Sequence, residues 1–453
     1  MLVENQLDTI QKSNPVSSLT KIYIWSVLLE PLLFFIVYGH FFGISTNFSR
    51  LLQFFVIVAL LIKVIFFKRN WVIPNVLSIN YRWYFLFIVL AIFSGYYGAF
   101  NGAYVLSFVP FEESLKVSIF RPLFEYIIAF YYFFYFVVLS RYLIRRPESI
   151  DYFFKMFKRV FLFTLYLGLF DLFLMLMVSG YGGIPRHIGD LQVGLRFHSI
   201  AGEPRDAFVY LILGLGVLWA RDIWFSETKL NKTLFTLIIF AALFTQSFSA
   251  IVGIIISIGM LLLFFIPKLS LKAATFYFIF ATLIVTIAIV YSLNFSPRIN
   301  IYIYELSKIF LDLQNENQLS PIAGAIINNI YPIWHRWTEV IQLDLFPLFF
   351  GTGLGSSSVL NANFMLDNEI YNPNANIIRN IFETGIIGTF LIIAAFIKPI
   401  SNFKINENLK ERCKFIMIFI IGAFFAHRSA APFIFLGVLL IIFESKNNKN
   451  FLK

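Results

Sequence analysis

Long apolar runs alternate with short polar segments along the whole chain. Twelve of these runs approach the roughly 17 to 25 residues that cross a bilayer as a helix, although some need flanking residues to reach that length. Because each helix satisfies its own backbone hydrogen bonds, repeated crossing favours helices. The pattern predicts an all-α polytopic membrane protein forming one integral membrane domain over residues 1–453. The predicted spans are 22–42, 51–67, 83–100, 123–140, 160–179, 206–224, 233–247, 249–267, 273–293, 377–397, 415–428 and 430–444.

Composition supports the membrane class. Hydrophobic residues make up 59% of the chain and charged residues 13%, and the mean hydropathy is +0.78, which leaves too little polar surface for a soluble globule. The single cysteine, Cys413, excludes an internal disulfide and is expected to be a packed thiol. The first twenty residues lack the features of a secretory signal, so the first span is expected to remain in the mature protein. No metal is expected, since no cluster of histidines has ligand spacing. No other cofactor is expected either.

The distribution of lysine and arginine predicts the orientation, because positive loops are retained on the cytoplasmic side. With both termini in the cytoplasm, 24 of the 36 basic residues fall in cytoplasmic segments and eleven fall outside. The remaining one, Lys63, lies within the second predicted span, near its cytoplasmic end, where its side chain can reach water. The net charge of +11 is therefore attributed to topology and contact with anionic membrane lipids, and no nucleic acid partner is expected.

Three external segments exceed the length of a hairpin: 101–122, 180–205 and 294–376. The third is the long external loop between the ninth and tenth spans, and it contains helical stretches of its own such as RINIYIYELSKIFLDL. A connection of that length is uncommon unless it has a function. The external side is therefore predicted to carry the chemistry.

Arginine dominates the external basic residues. Only two of the eleven are lysine, whereas a planar, permanently charged guanidinium suits bidentate contact with phosphate or carboxylate. This bias favours anion binding. The alternative is that topology depletes external lysine and that the arginines pair with nearby acids or lipid phosphates. The external arginines are Arg50, Arg121, Arg186, Arg196, Arg205, Arg298, Arg336, Arg379 and Arg428.

The stretch RFHSIAGEPRDA, which begins at Arg196, concentrates charge before the sixth span. Pro204 is predicted to be the first helical residue, because its missing N–H would have no partner there anyway. Arg205 and Asp206 then occupy the first turn, and an anion flanked by Arg196 and Arg205 could bind the helix N-terminus. The alternative is an ordinary helix start capped by Glu203.

The run PLFFGTGLGSS, residues 347–357, resembles a phosphate-binding glycine loop only superficially. It lacks the following Lys and Ser/Thr of a P-loop and has no ribose-binding carboxylate arrangement. Gly351, Gly353 and Gly355 are instead predicted to give the backbone positive φ angles and to let it approach a ligand or a neighbouring helix.

Other candidate functional residues lie in the long external loop and within the predicted spans. Arg336, between His335 and Trp337, suits a sugar or a phosphate, with an interfacial tryptophan as the alternative. Ionisable residues within spans are candidates for function because burying charge in hydrocarbon is costly. They are Glu30, Lys63, Glu125 and Asp171; for the two glutamates structural hydrogen bonding is at least as expected as chemistry.

Five elements occur in a fixed order over residues 190–390. They are an R…E-P segment before a helix (Arg196 to Pro204), a T-x-S element (Thr245 and Ser247), an Arg followed by a Trp (Arg336 and Trp337), a P-L-x-x-G-x-G-x-G run (Pro347 to Gly355) and a closing E-x-G-x-x-G (Glu383 to Gly388). This order resembles the O-antigen polymerase and O-antigen ligase superfamily of bacterial envelope enzymes. The first half of the chain shares only hydropathy with that superfamily.

The resemblance implies a fold like that of the C-type glycosyltransferases, placed in the bacterial inner membrane. It implies glycosyl transfer at the periplasmic face from undecaprenyl-pyrophosphate-linked oligosaccharides, without a nucleotide sugar or a metal, and a chain-length regulator protein as a further partner. Cationic groups would hold the departing pyrophosphate and a base would accept the proton of the attacking hydroxyl. The expected pyrophosphate-holding residues are Arg196, Arg205, Arg336, Arg121 and Arg428, and the expected residues near the acceptor hydroxyl are Glu203 and His198.

Two departures favour a polymerase over a ligase. Ligases of the superfamily show a His-Asn pair at the end of the long loop, where this chain has Asn374 or a neighbour in place of the histidine. The arginine that often follows the T-x-S element is Phe248 here. A polymerase of O-antigen or a related surface polysaccharide is therefore the main expectation. The alternatives are an O-antigen ligase, which transfers polymer to lipid A core, and a lipid-linked sugar flippase or transporter, which would be expected to have two similar halves.

Overall fold

The computed structural model describes residues 16–32, 36–41, 44–67, 82–103, 120–144, 146–177, 196–201, 204–225, 232–245, 257, 259–260, 275, 279, 286, 345–357, 376–426 and 431–449. Helices dominate these residues. Along the chain the elements are α1 (Ser18–Leu28), β1 (Ile36–Phe41), β2 (Ile44–Asn47), α2 (Phe48–Phe67), α3 (Arg82–Phe100), α4 (Phe120–Phe133), a π-helical turn (Phe134–Val138), α5 (Leu139–Leu143), α6 (Pro147–Met177), α7 (Pro204–Phe225), α8 (Lys232–Phe244), α9 (Phe346–Phe350), α10 (Asn376–Ser401), α11 (Glu407–Ala426) and α12 (Ala431–Lys449).

Within the described part of the chain, five helices are long and apolar enough to cross a membrane. They are Arg82–Phe100, Leu123–Leu143, Pro147–Met177, Pro204–Phe225 and Asn376–Ser401. These helices coincide with the third to sixth and the tenth predicted spans, which confirms the helical, membrane-embedded class at this level. The predicted spans 249–267 and 273–293 fall outside the described residues except at a few single positions, as does the loop 294–376 except for 345–357.

The first predicted span, 22–42, is wrong in its second half. Helix α1 ends at Leu28, and Ile36–Phe41 forms a strand that pairs antiparallel with Ile44–Asn47. The cause is Pro31, which has no N–H to donate and clashes with the preceding helical turn. This hairpin is also the exception to an all-α chain among the described residues.

Helices α6 and α11 begin well before their predicted spans of 160–179 and 415–428. The start of α6 is polar, yet Ile150, Phe153, Phe154 and Phe157 are buried on one face of it. Such spacing is that of an amphipathic helix, which a search for continuous apolar runs does not detect. Both helices therefore extend beyond the apolar segment that predicted them.

Successive helices pack antiparallel. Against α4, the Tyr84 ring of α3 stacks on Phe133 at 4.8 Å, while the Tyr126 hydroxyl donates to the Ala91 carbonyl at 2.7 Å. Residue numbers thus rise along α3 as they fall along α4. The same relation joins α10 to α11, since the Asn376 side chain at the start of α10 donates to Phe424 near the end of α11, at 2.9 Å.

We name the end of the bundle that contains residues 351–357 the glycine-loop end. Helices α3, α6, α8 and α11 finish there, and α4, α7 and α10 begin there. Ion pairs and hydrogen bonds join the helices at the opposite end: Arg141 contacts Glu444 at 2.8 Å, and Trp224 donates to Asp151 at 2.7 Å. Lys446 donates to the Trp224 carbonyl at 2.9 Å, which ties α12 to α7.

Helix α7 lies near the centre of the bundle. Of its apolar 18-residue stretch 83% is buried, against 39% for the corresponding stretches of α3 and α6. The more peripheral helices present large apolar side chains outward, among them Phe54, Phe55, Phe93, Phe163 and Phe170. A continuous apolar exterior of this kind suits contact with lipid chains. The polar side chains described below are enclosed by these helices near the glycine-loop end.

Candidate functional site

Residues 196–201 form a non-helical segment that precedes α7 in the sequence and packs between α6 and α8 in space. The Phe197 amide donates to the Phe244 carbonyl at 2.7 Å, and the Ser199 hydroxyl donates to the Thr164 carbonyl at 2.7 Å. Arg196, which is 8% exposed, donates from Nε to the Thr245 carbonyl at 3.0 Å. The segment is therefore fixed on both sides, and the R…E-P element contacts the T-x-S element through Arg196 and Thr245.

His198 lies on this segment and pairs with Asp171 of α6. Its Nε2 is 3.1 Å from Asp171 Oδ2, and both side chains are 3% exposed. Gly168, one turn before Asp171, lets the segment approach α6, because a Cβ there would lie 2.6 Å from the Phe197 ring and 2.8 Å from the His198 carbonyl. The contact explains how an aspartate is tolerated in an apolar helix, since buried charge requires a partner.

The predicted start of the sixth span is confirmed. Pro204 is the first residue of α7, and Arg205 and Asp206 lie in its first turn, partly exposed. Arg205 is thus at the same end of the bundle as Arg196. A helix N-terminus offers backbone N–H donors and the positive end of the helix dipole, which favour an anion.

The glycine predictions are also confirmed. Gly351, Gly353 and Gly355 have φ angles of 82°, 103° and 79°, which other residues rarely adopt. The loop is held against α10 by backbone hydrogen bonds from Thr352 to the Phe382 carbonyl at 3.0 Å and from Gly353 to the Glu383 carbonyl at 2.8 Å. The loop backbone therefore approaches a neighbouring helix, one of the two possibilities that the glycines predicted.

The glycine loop and α10 cross at two glycines. Gly385 interrupts α10 with φ 68° and ψ −174°, and a Cβ there would collide with the backbone of Phe349 and Phe350. A Cβ on Gly351 would in turn collide with the backbone of Glu383 and Thr384. The P-L-x-x-G-x-G-x-G run and the E-x-G-x-x-G element therefore form one interlocked unit.

Charged side chains surround this crossing. Glu383 is 1% exposed and accepts from the Ser357 hydroxyl at 2.5 Å and from Arg379 Nε at 3.1 Å. Arg379 also contacts Glu125 of α4, with 3.3 Å between Nη2 and Oε2. Helix α3 contributes Ser94, which donates to the Phe350 carbonyl. The Arg379 guanidinium thus joins α10 to α4 through Glu125, and to the glycine loop through Glu383.

Sequence reasoning did not select Arg379 or Glu383 as site residues. Their spacing of four places both on one face of a helix, and this signal was available in the sequence. The contact with Glu125 carried no such signal, because 254 positions separate the two residues. The alternative of structural hydrogen bonding that was raised for Glu125 fits its ion pair.

Glu30 likewise has structural partners. It contacts Arg50 at 2.8 Å and accepts from Gln53 at 2.8 Å and from Ser49. Lys63, by contrast, is exposed on α2.

Four of the seven predicted site residues lack a described side chain. Arg121 is the second residue of α4, and nothing is described of its side chain. Glu203, Arg336 and Arg428 fall outside the described residues. Their assigned roles stay predictions, whereas Arg196, Arg205 and His198 are located at the glycine-loop end.

This end of the bundle combines guanidinium groups, an imidazole paired with a carboxylate, and a helix N-terminus. Guanidinium groups and free helix amides bind anions such as diphosphates. An imidazole held by a carboxylate can accept a proton from a hydroxyl group. Among the described residues no group of three or more His, Cys, Asp and Glu side chains could hold a metal ion.

No protein-family model, no curated protein and no solved structure matches this chain. The resemblance of its ordered elements to the O-antigen polymerase and ligase superfamily therefore stays an expectation.

Proposed function

We propose that the protein is a polymerase of O-antigen or a related surface polysaccharide, acting at the periplasmic face of the bacterial inner membrane. The observation that carries the proposal is the contact between elements distant in sequence. Arg196 of the R…E-P segment bonds to Thr245 of the T-x-S element, and the glycine run interlocks with the E-x-G-x-x-G element at Gly385. Elements that serve one site are expected to meet in this way.

In the proposed reaction, a hydroxyl oxygen of an incoming lipid-linked repeat unit attacks the anomeric carbon of the growing chain. The bond from that carbon to the pyrophosphate oxygen breaks, and the pyrophosphate leaves with the electron pair. Arg196 and Arg205 hold the departing diphosphate, together with Arg336, Arg121 and Arg428. His198 or Glu203 receives the proton of the attacking hydroxyl. The apolar exterior of α2, α3 and α6 allows the polyprenyl chains to reach the site from the bilayer.

The same proposal includes the arrangement of the chain in the membrane. It comprises twelve spans in a fold like that of the C-type glycosyltransferases, cytoplasmic termini and a periplasmic loop over residues 294–376 that covers the site. The antiparallel order of the described helices supports the alternation of spans. The position of Arg196, Arg205 and Arg379 at the glycine-loop end supports that end as the reacting face.

The variant Arg196→Lys tests the proposal in a strain that lacks the chromosomal copy of the gene. Lysine keeps the charge and loses the planar fork, so we expect polymer yield or length to fall about tenfold at unchanged protein abundance, since a charge-assisted hydrogen bond contributes about 1.5 to 3 kcal/mol. Arg141→Lys, which alters an ion pair at the opposite end, is the matched control and should give normal polymer. Normal polymer ladders from Arg196→Lys would remove Arg196 from the site.

Two further outcomes separate the alternative functions. Deletion of the gene should leave lipid A core that bears a single repeat unit, whereas bare core would identify a ligase. The purified protein in nanodiscs should elongate lipid-linked repeat units, extracted from the deletion strain, without an energy source. Absence of elongation combined with movement of those lipids across the bilayer would identify a transporter.

A further inference from the structure

Asp171 is a buried ionisable side chain near the glycine-loop end to which the proposed reaction assigns no role. It lies in α6, in a stretch of Leu, Phe and Met residues, and its carboxylate is 3% exposed. Apolar side chains of similar volume stabilise a buried position as well as an ion pair does, so such a pair is weak evidence for a purely stabilising role. Its contact with His198 at 3.1 Å, on the segment that also carries Arg196, therefore points to the site.

The contact places a carboxylate beside the imidazole. Asp171 Oδ2 lies 3.1 Å from Nε2 of His198, close enough for its negative charge to favour the protonated ring. The carboxylate also stabilises the imidazolium that forms when a proton is taken. The hydrogen bonds of Phe197 and Ser199 hold the backbone on both sides of His198, which restricts the position of the ring.

We propose that Asp171 is the positioning residue for His198, and that His198, rather than Glu203, is the base of the glycosyl transfer. This inference rests on the proposed polymerase function. The O–H bond of the acceptor sugar breaks, its proton goes to the imidazole of His198, and its oxygen forms the bond to the anomeric carbon. The pyrophosphate leaves with the electron pair of the broken C–O bond, and the proton is later released to water.

Among the residues that the structure describes, few other ionisable groups belong to the elements around His198. The segment itself carries Arg196, α6 contributes Asp171, and the first turns of α7 carry Arg205, Asp206 and Tyr210. Helix α8 contributes backbone carbonyls of Phe244 and Thr245 to the segment. Asp171 is the residue of this set whose ion pair with His198 is direct.

The test compares Asp171→Asn with the wild-type protein in the nanodisc elongation assay. Asparagine keeps the shape and removes the charge, so we expect kcat to fall about 100-fold or more, as is typical for loss of general base catalysis, with KM for the lipid-linked repeat unit unchanged. Without the carboxylate the imidazolium is less stable, so the acidic limb of the pH–rate profile should move to lower pH. His198→Gln should abolish that limb, and the double variant should be no slower than His198→Gln.

Asp222→Asn is the matched control, because Asp222 is also a buried acid of the bundle but pairs with Arg221 at the opposite end. It should leave both kcat and the pH profile unchanged. If the wild-type protein does not elongate the repeat unit, the proposed function itself is wrong. If it elongates and Asp171→Asn keeps the wild-type kcat and pH limb, the positioning role is overturned. If Asp171→Asn does not accumulate, Asp171→Glu replaces it: a lower kcat at unchanged KM supports the role, and an unchanged kcat overturns it.

Discussion

The crossing of Gly351 and Gly385 brings two backbones closer than side chains allow. Gly351 has φ 82° and ψ −178°, a combination that is essentially restricted to glycine, and a Cβ there would collide with Glu383 and Thr384. We expect Gly351→Ala to separate the glycine loop from α10 and to lower thermal stability by several degrees or more. Thermal unfolding of the detergent-solubilised protein, followed by intrinsic fluorescence, measures the change.

Gly102→Ala is the control that separates backbone strain from collision. Gly102 also has a positive φ, 72°, but a Cβ there would meet no atom within 4 Å. Its replacement should cost only the strain of a left-handed residue, about 1 to 2 kcal/mol. Equal melting temperatures for Gly102→Ala and Gly351→Ala would contradict the close crossing.

At the scale of single residues, the sequence was informative wherever chemistry is local. Glycines two positions apart predicted positive φ angles, and Pro204 predicted the start of a helix. Arg379 and Glu383 could have been paired from their spacing. The contacts of Asp171 with His198 and of Arg379 with Glu125 could not, because they depend on which helices are neighbours.

At the scale of helices, a polar network attaches α1 and α2 to α4. Glu30 follows α1 and contacts Arg50 of α2, whose Nη2 donates to the Tyr132 hydroxyl of α4 at 2.8 Å. Gln53 of α2 joins Glu30 at 2.8 Å and accepts from the Tyr131 hydroxyl. The network gives three elements a common set of partners in otherwise apolar surroundings.

Removing Glu30 from this network should destabilise the protein. Glu30→Ala leaves the Arg50 guanidinium without its carboxylate, and breaking a buried ion pair costs about 3 to 5 kcal/mol. Because the Arg50 side chain is 27% exposed, we expect the low end of that range. The control is Glu407→Ala, since Glu407 is 76% exposed in its pair with Lys410, and surface pairs contribute about 0 to 1 kcal/mol. Similar urea unfolding midpoints for both variants would mean that the network does not support α1 and α2.

Helix prediction from apolar runs worked where a span is uniformly apolar and failed where other forces define the ends. Pro31 ended α1 inside a run that remained apolar on both sides. Helix α6 continued into a polar flank because Phe153 and Phe157 are buried on one face. Apolar content predicts which segments cross the bilayer, whereas capping and tertiary burial decide where each helix starts and stops.

For the whole molecule, the antiparallel helices place the charged site residues that the structure describes at one end. Contacts at Asn376, Arg196 and Arg379 define the glycine-loop end, and contacts at Arg141 and Trp224 define the other. The order of the sequence elements predicted only a family resemblance. It contained no distances, so the contacts between them emerged only when the helices were assembled.

The two ends should face opposite sides of the membrane, and introduced cysteines test this arrangement. Asn101, exposed just after α3, lies at the glycine-loop end, and Asn402, exposed just after α10, lies at the other. The native Cys413 precedes the predicted span 415–428, is 1% exposed, and burial raises the pKa of its thiol to about 12, so little reactive thiolate exists at neutral pH. It should therefore give no background signal.

With a membrane-impermeant maleimide, we expect Asn101→Cys to be labelled in intact cells with a permeabilised outer membrane. Asn402→Cys should be labelled only after the inner membrane is opened, because positive segments such as the one after α10 are retained in the cytoplasm. Exchange of the two patterns would reverse the proposed orientation and put the glycine-loop end on the cytoplasmic side. Labelling of both positions from one side would contradict the antiparallel packing of α3 and α10, and with it the assembly of Arg379, Glu383 and the glycine loop at one face.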